Sequence, residues 1–213
     1  LAESLSNFLN MQYKNQIAVF TLNVNEDFYY HLASICPQLV RVDQEAYAKA
    51  QAKGAFYSSR AVQQYMNGNK SFQHKHVVVK GVANQGKEIA KIFDKNNANL
   101  TVCDENKDNI NDLYADVWFG TCPVEQATTV MSDLLVICDG RETLDKNSTL
   151  SINALAVVGV ADCQLASNKA GYNMHGKRVL YVPDYVAGSG GVIMIAKQLE
   201  GNKKSLEKEL DKI

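Results

Sequence analysis

The segment HVVVKGVANQG at 76–86 constrains this chain more than any other. A run of three valines is too short for a buried helix, and Gly81 follows it after a single lysine. Ile89, Ala90, Ile92 and Phe93 then follow at helical spacing. That pattern predicts a strand, a tight turn and a helix. Such a turn points backbone N–H groups of the helix N-terminus at one place, where a phosphate anion is held well. Gly81 supplies the sharp turn after the strand, and Gly86 lets the helix pack close to the sheet. The middle position, ordinarily glycine so that the backbone approaches a pyrophosphate, is Ala83. Its single methyl group is a mild obstacle.

The next apolar run, NLTVCD at 99–104, ends in Asp104. An acid about 20 residues beyond a glycine turn of this kind accepts from the ribose hydroxyls of a dinucleotide. It also repels a 2′-phosphate, which favours NAD over NADP, a preference that Lys107 softens.

Further apolar runs at 134–138, 155–159 and 179–182 are separated by helix-like sequence. Strands alternating with helices predict an α/β fold, a Rossmann-type doubly wound parallel sheet. The strands are continuously apolar, as expected when helices cover both faces. Residues 1–70 read as a small, mostly helical domain. Leu5, Phe8 and Leu9 recur at helical spacing, 17–22 is a short strand candidate, and 44–66 suits helices broken near Gly54. The polar stretch MNGNKSFQHK at 66–75 is the expected connector, which gives domains at 1–70 and 71–200. Val192, Ile193, Ala196 and Leu199 form one helical stripe. Gly201 then breaks the pattern, and Ser205 caps a last helix within 201–213, with Leu206, Leu210 and Ile213 on one side.

Composition narrows the function classes. With 22 basic and 23 acidic residues in 213, the formal net charge is -1. That balance offers no electrostatic reason to bind nucleic acid or an anionic membrane. The five cysteines (Cys36, Cys103, Cys122, Cys138, Cys163) are odd in number and contain no CxxC pair. This argues against a disulfide framework and a structural zinc site, and for a reducing, cytoplasmic setting. No apolar run reaches the ~20 residues of a membrane span. The histidines form no metal-ligand cluster.

Four segments together resemble the leucine, phenylalanine and glutamate dehydrogenase family, leucine dehydrogenase above all. VVVKGVANQG at 77–86 is similar to its nucleotide loop, and LTVCDENKD at 100–108 to its second strand and ribose-binding acid. VVGVADCQL at 157–165 resembles the segment near the nicotinamide, and YVPDYVAGSGGVI at 181–193 the last strand and following helix. The resemblance implies an oligomeric NAD-dependent oxidoreductase that deaminates an L-amino acid to a 2-oxo acid. It implies a cofactor site built from Gly81, Ala83, Asn84, Gln85 and Gly86, from Asp104, and from Cys138 and Asp139. Ala161, Asp162 and Cys163, with Ser58 ahead of the AVQQYM helix in place of a threonine, complete it.

The N-terminal region matches in part. MQYKNQIA at 11–18 places Lys14 where the family's carboxylate-binding lysine stands. The family's glycine run and catalytic lysine fall on Asn23, Val24, Asn25 and Glu26. Glu26 is then the candidate base in place of lysine. Cys163 and Gly188 each replace an asparagine. Two readings follow: an NAD(H)-binding amino-acid-dehydrogenase-like oxidoreductase with altered or weak activity, or a lapsed homologue acting as an NAD-binding, sensing or partner subunit. Either suits a homo-oligomer or a site completed by another chain.

Overall fold

In the computed structural model the chain divides into two compact units, Leu1–Gln44 and Glu45–Ile213. The structure describes His31, Ser34, Ile35, residues 42–140 and residues 142–199. The strand expected at 17–22, the helix expected after Ser205, and the candidates Lys14 and Glu26 lie outside the described residues.

Helix α1 (Gln44–Asn67) leads into β1 (His76–Lys80), α2 (Asn84–Lys95), β2 (Asn99–Cys103), α3 (Lys107–Leu113) and β3 (Gly120–Thr121). A 3-10 turn at Val124–Gln126 precedes β4 (Ser132–Ile137). Then come α4 (Lys146–Ser151), β5 (Ala154–Gly159), α5 (Asn168–Gly176), β6 (Leu180–Tyr181), α6 (Asp184–Ala187) and α7 (Ser189–Leu199). The strands form one six-stranded sheet in the order β3-β2-β1-β4-β5-β6, with every neighbouring pair parallel. Val78 stands opposite Thr101 on one side and Leu135 on the other. This is the doubly wound α/β arrangement expected from the sequence.

Each central strand contributes to two cores. Val77, Val79, Val102, Val136 and Val158 join Ile89 and Phe93 on one face. Val78, Leu135, Ile137 and Val157 join Leu144 and Met174 on the other. Both faces are covered, which is why these strands show no polar alternation.

Helix α1 packs within the same unit as the sheet. Phe93 from α2 meets both Phe56 from α1 and Phe72 from the connector edge to face, with Phe72 and Phe93 centroids 4.8 Å apart; such contacts add to the gain from burial. The helix does not break at Gly54, against expectation. A Cβ there would lie 2.7 Å from the Ala187 carbonyl oxygen, and one at Gly190 would lie 2.0 Å from that of Ala50. The two glycines let α1 and the start of α7 touch backbone to backbone. The stripe expected on α7 is also rotated: Gly191 and Ile195 turn inward, and Val192 is 60% exposed. Among the described residues no helix is long and apolar enough to cross a membrane.

Candidate functional site

A parallel sheet gathers the loops that leave its strands along one edge, and ligands bind there where the strand order reverses. In this order the reversal lies between β1 and β4. The turns after β1, β2, β4 and β5 carry Gly81–Gly86, Asp104, Cys138–Asp139 and Ala161–Cys163 respectively. Cofactor candidates far apart in sequence therefore meet along this edge.

The turn after β1 is built by its glycines. Gly81 has φ +83°, a left-handed value, and its missing Cβ would collide with the Asp139 side chain at 2.6 Å. A Cβ on Gly86 would lie 1.8 Å from the Gly81 carbonyl oxygen and 3.2 Å from the Cys138 Cβ. The first turn of α2 thus rests directly on the end of β1. Ala83 is the exposed N-cap of α2 and offers no side-chain acceptor to its first N–H groups. Asn84 is exposed beside it and Gln85 half-buried. An uncapped N-terminus of a 12-residue helix, held against a glycine turn, has the donors and partial positive charge that an anion needs.

Asp104 ties this turn to β2. Its Oδ2 accepts from the Val82 N–H at 2.7 Å and its Oδ1 from the Asn106 N–H at 2.8 Å. The Asn109 side-chain amide donates to both oxygens, at 3.1 and 3.2 Å. The same carboxylate borders a pocket of about 470 Å³ with Lys107, Ile110, Tyr114, Thr121 and Cys122. Its place between β2 and β3 is where a strand-end acid reaches a ribose.

Lys80 is the residue that sequence reasoning missed. It ends β1, and its Nζ donates to Asp139 Oδ1 at 2.6 Å, with the two side chains 13% and 36% exposed. The only sequence signals are a basic residue closing an apolar strand and an acid just past another. Asp139 packs where a Gly81 Cβ would be, so Lys80 steadies the glycine turn through it. We expect Lys80→Met to lower the stability of the fold by about 1 kcal/mol, since the pair is partly screened by water, and to weaken dinucleotide binding several-fold more than a distant change such as Lys49→Met. Equal affinities in calorimetry would mean the pair does not hold the turn.

The other candidates are more dispersed. Burial pushes the Cys138 thiol up, as suits a small core residue under α2. Ala161 is buried, while Asp162 and Cys163 are exposed. Cys163 has φ +54°, and the Asp184 carboxylate accepts from its N–H at 2.7 Å. Ser58 lies inside α1, not before a helix. It is 3% exposed, and its Oγ is a buried polar atom without a hydrogen-bond partner. It faces a smaller pocket of about 240 Å³ with Val62, Tyr181 and Val182. Burial, with the nearby Asp184 carboxylate, pushes the Tyr181 phenol up to about 12, so it stays a neutral donor there. Among the described residues no group of three or more His, Cys, Asp and Glu side chains is arranged to hold a metal.

An all-parallel sheet of this order, a glycine turn opening a helix and a strand-end acid define a doubly wound fold of the Rossmann type. The chain is a partial relative of the amino-acid dehydrogenases. It is 27% identical over 150 residues to leucine dehydrogenase from Bacillus subtilis, covering 70% of this chain and 41% of that protein. It is also 27% identical over 158 residues to phenylalanine dehydrogenase from Lysinibacillus sphaericus, covering 72% and 42%. The chain thus matches less than half of the length of these relatives. No family model matches it. In fold it is similar to L-tryptophan dehydrogenase from Nostoc punctiforme, with a TM-score of 0.81 at 19% identity, covering 100% of this chain and 61% of that one. A hetero-hexameric glutamate dehydrogenase from Thermus thermophilus gives 0.75 at 17%, covering 100% and 59%.

Proposed function

We propose that this protein binds NAD(H) along the carboxyl edge of its sheet and acts as an amino-acid-dehydrogenase-like oxidoreductase. The observation that carries this reading is the pair of cradles at Gly81 and Gly86, each of which a single Cβ would fill, beside the strand-end carboxylate of Asp104. The donor set fits the cofactor. The α2 N-terminus takes the pyrophosphate, and Asp104 takes the adenosine ribose. Asn109 now straddles both Asp104 oxygens, so a ribose diol displaces that bifurcated bond and leaves the Val82 and Asn106 N–H bonds in place. The unpartnered Ser58 hydroxyl and the neutral Tyr181 phenol offer polar contacts at the other end, beside β6. When bound, the nicotinamide accepts or returns a hydride.

On the substrate side, the proposal assigns an L-amino acid and its 2-oxo acid, with Lys14 on the carboxylate and Glu26 as the base. A glutamate accepts a proton but brings no cation to the substrate, so turnover of ordinary amino acids is expected to be weak. Self-association, or a partner subunit, completes the catalytic cleft.

The test is a titration of the purified protein with NADH, read by calorimetry, with NADPH as the control. Saturable binding that prefers NADH is the expected result. Absence of binding to both would remove the cofactor reading. A panel of L-amino acids with NAD, and of 2-oxo acids with NADH and ammonia, then measures the chemistry. Turnover that survives Glu26→Gln unchanged would remove that residue from the reaction.

A further inference from the structure

Strands β2 and β3 pair in parallel with Val102 opposite Thr121, and the Cys122 N–H donates to the Val102 carbonyl at 3.2 Å. The next rung sets Cys103 beside Cys122. Partners on one rung of a parallel pair share a face, on strands about 4.8 Å apart. That spacing falls inside the Cα separation of roughly 4.4–6.8 Å that a disulfide spans. Both residues are free thiols, and Cys122 packs against the core cluster that contains Cys103. The two differ in access. Cys103 is fully buried, whereas Cys122 is half-buried and borders the Asp104 pocket.

We propose that Cys103 and Cys122 are a redox-active dithiol that a hydroperoxide closes to a disulfide at the wall of this pocket. Cys122, the accessible member, reacts first. Its sulfur attacks one peroxide oxygen of hydrogen peroxide, the S–O bond forms as the O–O bond breaks, and the other oxygen leaves as water. The Cys103 sulfur then attacks the Cys122 sulfenic acid. The S–S bond forms, and the sulfenic hydroxyl leaves as water with the Cys103 proton. Two thiols lose two electrons in all, and one peroxide becomes two waters. Burial raises both thiols above their ordinary range, Cys103 the more strongly. The reaction is therefore slow at neutral pH and faster in mild alkali, since the thiolate is the attacking species. The bond would pin the two-residue edge strand β3 to β2, one residue before Asp104.

The experiment treats the protein with hydrogen peroxide, blocks residual thiols with an alkylating agent and digests it after Lys, Arg and Glu. Glu125 lies between Cys122 and Cys138, so those two fall in different peptides. The expected product is a Cys103–Cys122 linked peptide pair, lighter by two hydrogens and restored by dithiothreitol. It is missing in Cys122→Ser, and in Cys103→Ala as a second variant. A disulfide that joins Cys122 to another cysteine overturns the proposal. So does a Cys122 that goes only to sulfinic or sulfonic acid while Cys103 stays alkylatable after denaturation.

A second arm rests on the cofactor reading. Oxidation is expected to weaken NADH binding about tenfold in the wild type, a change readily seen in Kd, and to leave Cys122→Ser unaffected. Mass mapping stands whether or not NADH binds, so the two readings fail separately.

Discussion

Gly86→Ala should be the most damaging conservative change in this fold. One methyl group is added, yet its carbon would stand 1.8 Å from the Gly81 carbonyl oxygen and 3.2 Å from the Cys138 Cβ. The atom it meets is backbone, at the point where β1 becomes the turn, so no rotamer relieves the clash. Either the first turn of α2 lifts off the strand or the turn opens, and both undo the packing of Ile89 and Phe93 beneath it. The expected cost is about 3 kcal/mol, at the upper end for overpacking, or roughly 6–12 °C in the melting midpoint for a chain of this size. Any lift of the helix also withdraws its N–H groups from the phosphate position, so NADH affinity should fall at least about 100-fold, or about 2.7 kcal/mol. Gly68→Ala is the control. Unlike Gly86, this glycine has a positive φ, +69°, and a Cβ there has nothing within 4 Å. Its cost is the backbone term alone, about 1–2 kcal/mol, with NADH affinity unchanged. Equal melting and equal affinity in the two variants would show that the contact between α2 and β1 is not what shapes the turn.

These two glycines also mark how far the sequence could be read. Gly81 and Gly86 were legible because their signal is local: a valine run, a turn and a helical period within a few residues. Asp104 was legible for the same reason, at the end of the next apolar run. Gly54 misled because glycine inside a helix reads as a breaker. Its purpose lies across space at Ala187 and Gly190, which no single stretch reveals. Strand β3 was invisible: Gly120 and Thr121 are exposed, carry no apolar run, and become a strand only because β2 offers them an edge. The ion pair of Lys80 and Asp139 needed the strand order itself, since β1 and β4 become neighbours only through the reversal. Ser58 was picked out by resemblance, but its burial within α1, and the pocket it shares with Tyr181 of β6, could be seen only in the folded chain.

Asp104→Ala should separate ligand binding from folding, because this one carboxylate serves both. In the free protein it accepts the Val82 and Asn106 N–H groups and the Asn109 amide. Removing it leaves the Val82 N–H, on a buried residue, without its acceptor. Hydrogen bonds to a charged group contribute about 1.5–3 kcal/mol each, less where water replaces the acceptor. Asn106 is exposed and recovers water, so the loss of stability should be about 2 kcal/mol. For binding, the ribose diol loses its charged acceptor, which should cost a further 2 kcal/mol or so, roughly 30-fold in Kd. NADPH should move the other way, since the carboxylate no longer repels a 2′-phosphate and Lys107 borders the same pocket. The ratio of NADPH to NADH dissociation constants therefore falls towards unity. Asn109→Ala decides between the two roles of Asp104. It removes only the amide that competes with the ribose and keeps both backbone bonds, so stability should change little while NADH binds as tightly as in the wild type or more so. If Asn109→Ala weakens NADH as much as Asp104→Ala does, the carboxylate is not the ribose acceptor. It would then act only as a tie between β2 and the glycine turn, and the cofactor would have to be held from the phosphate side alone.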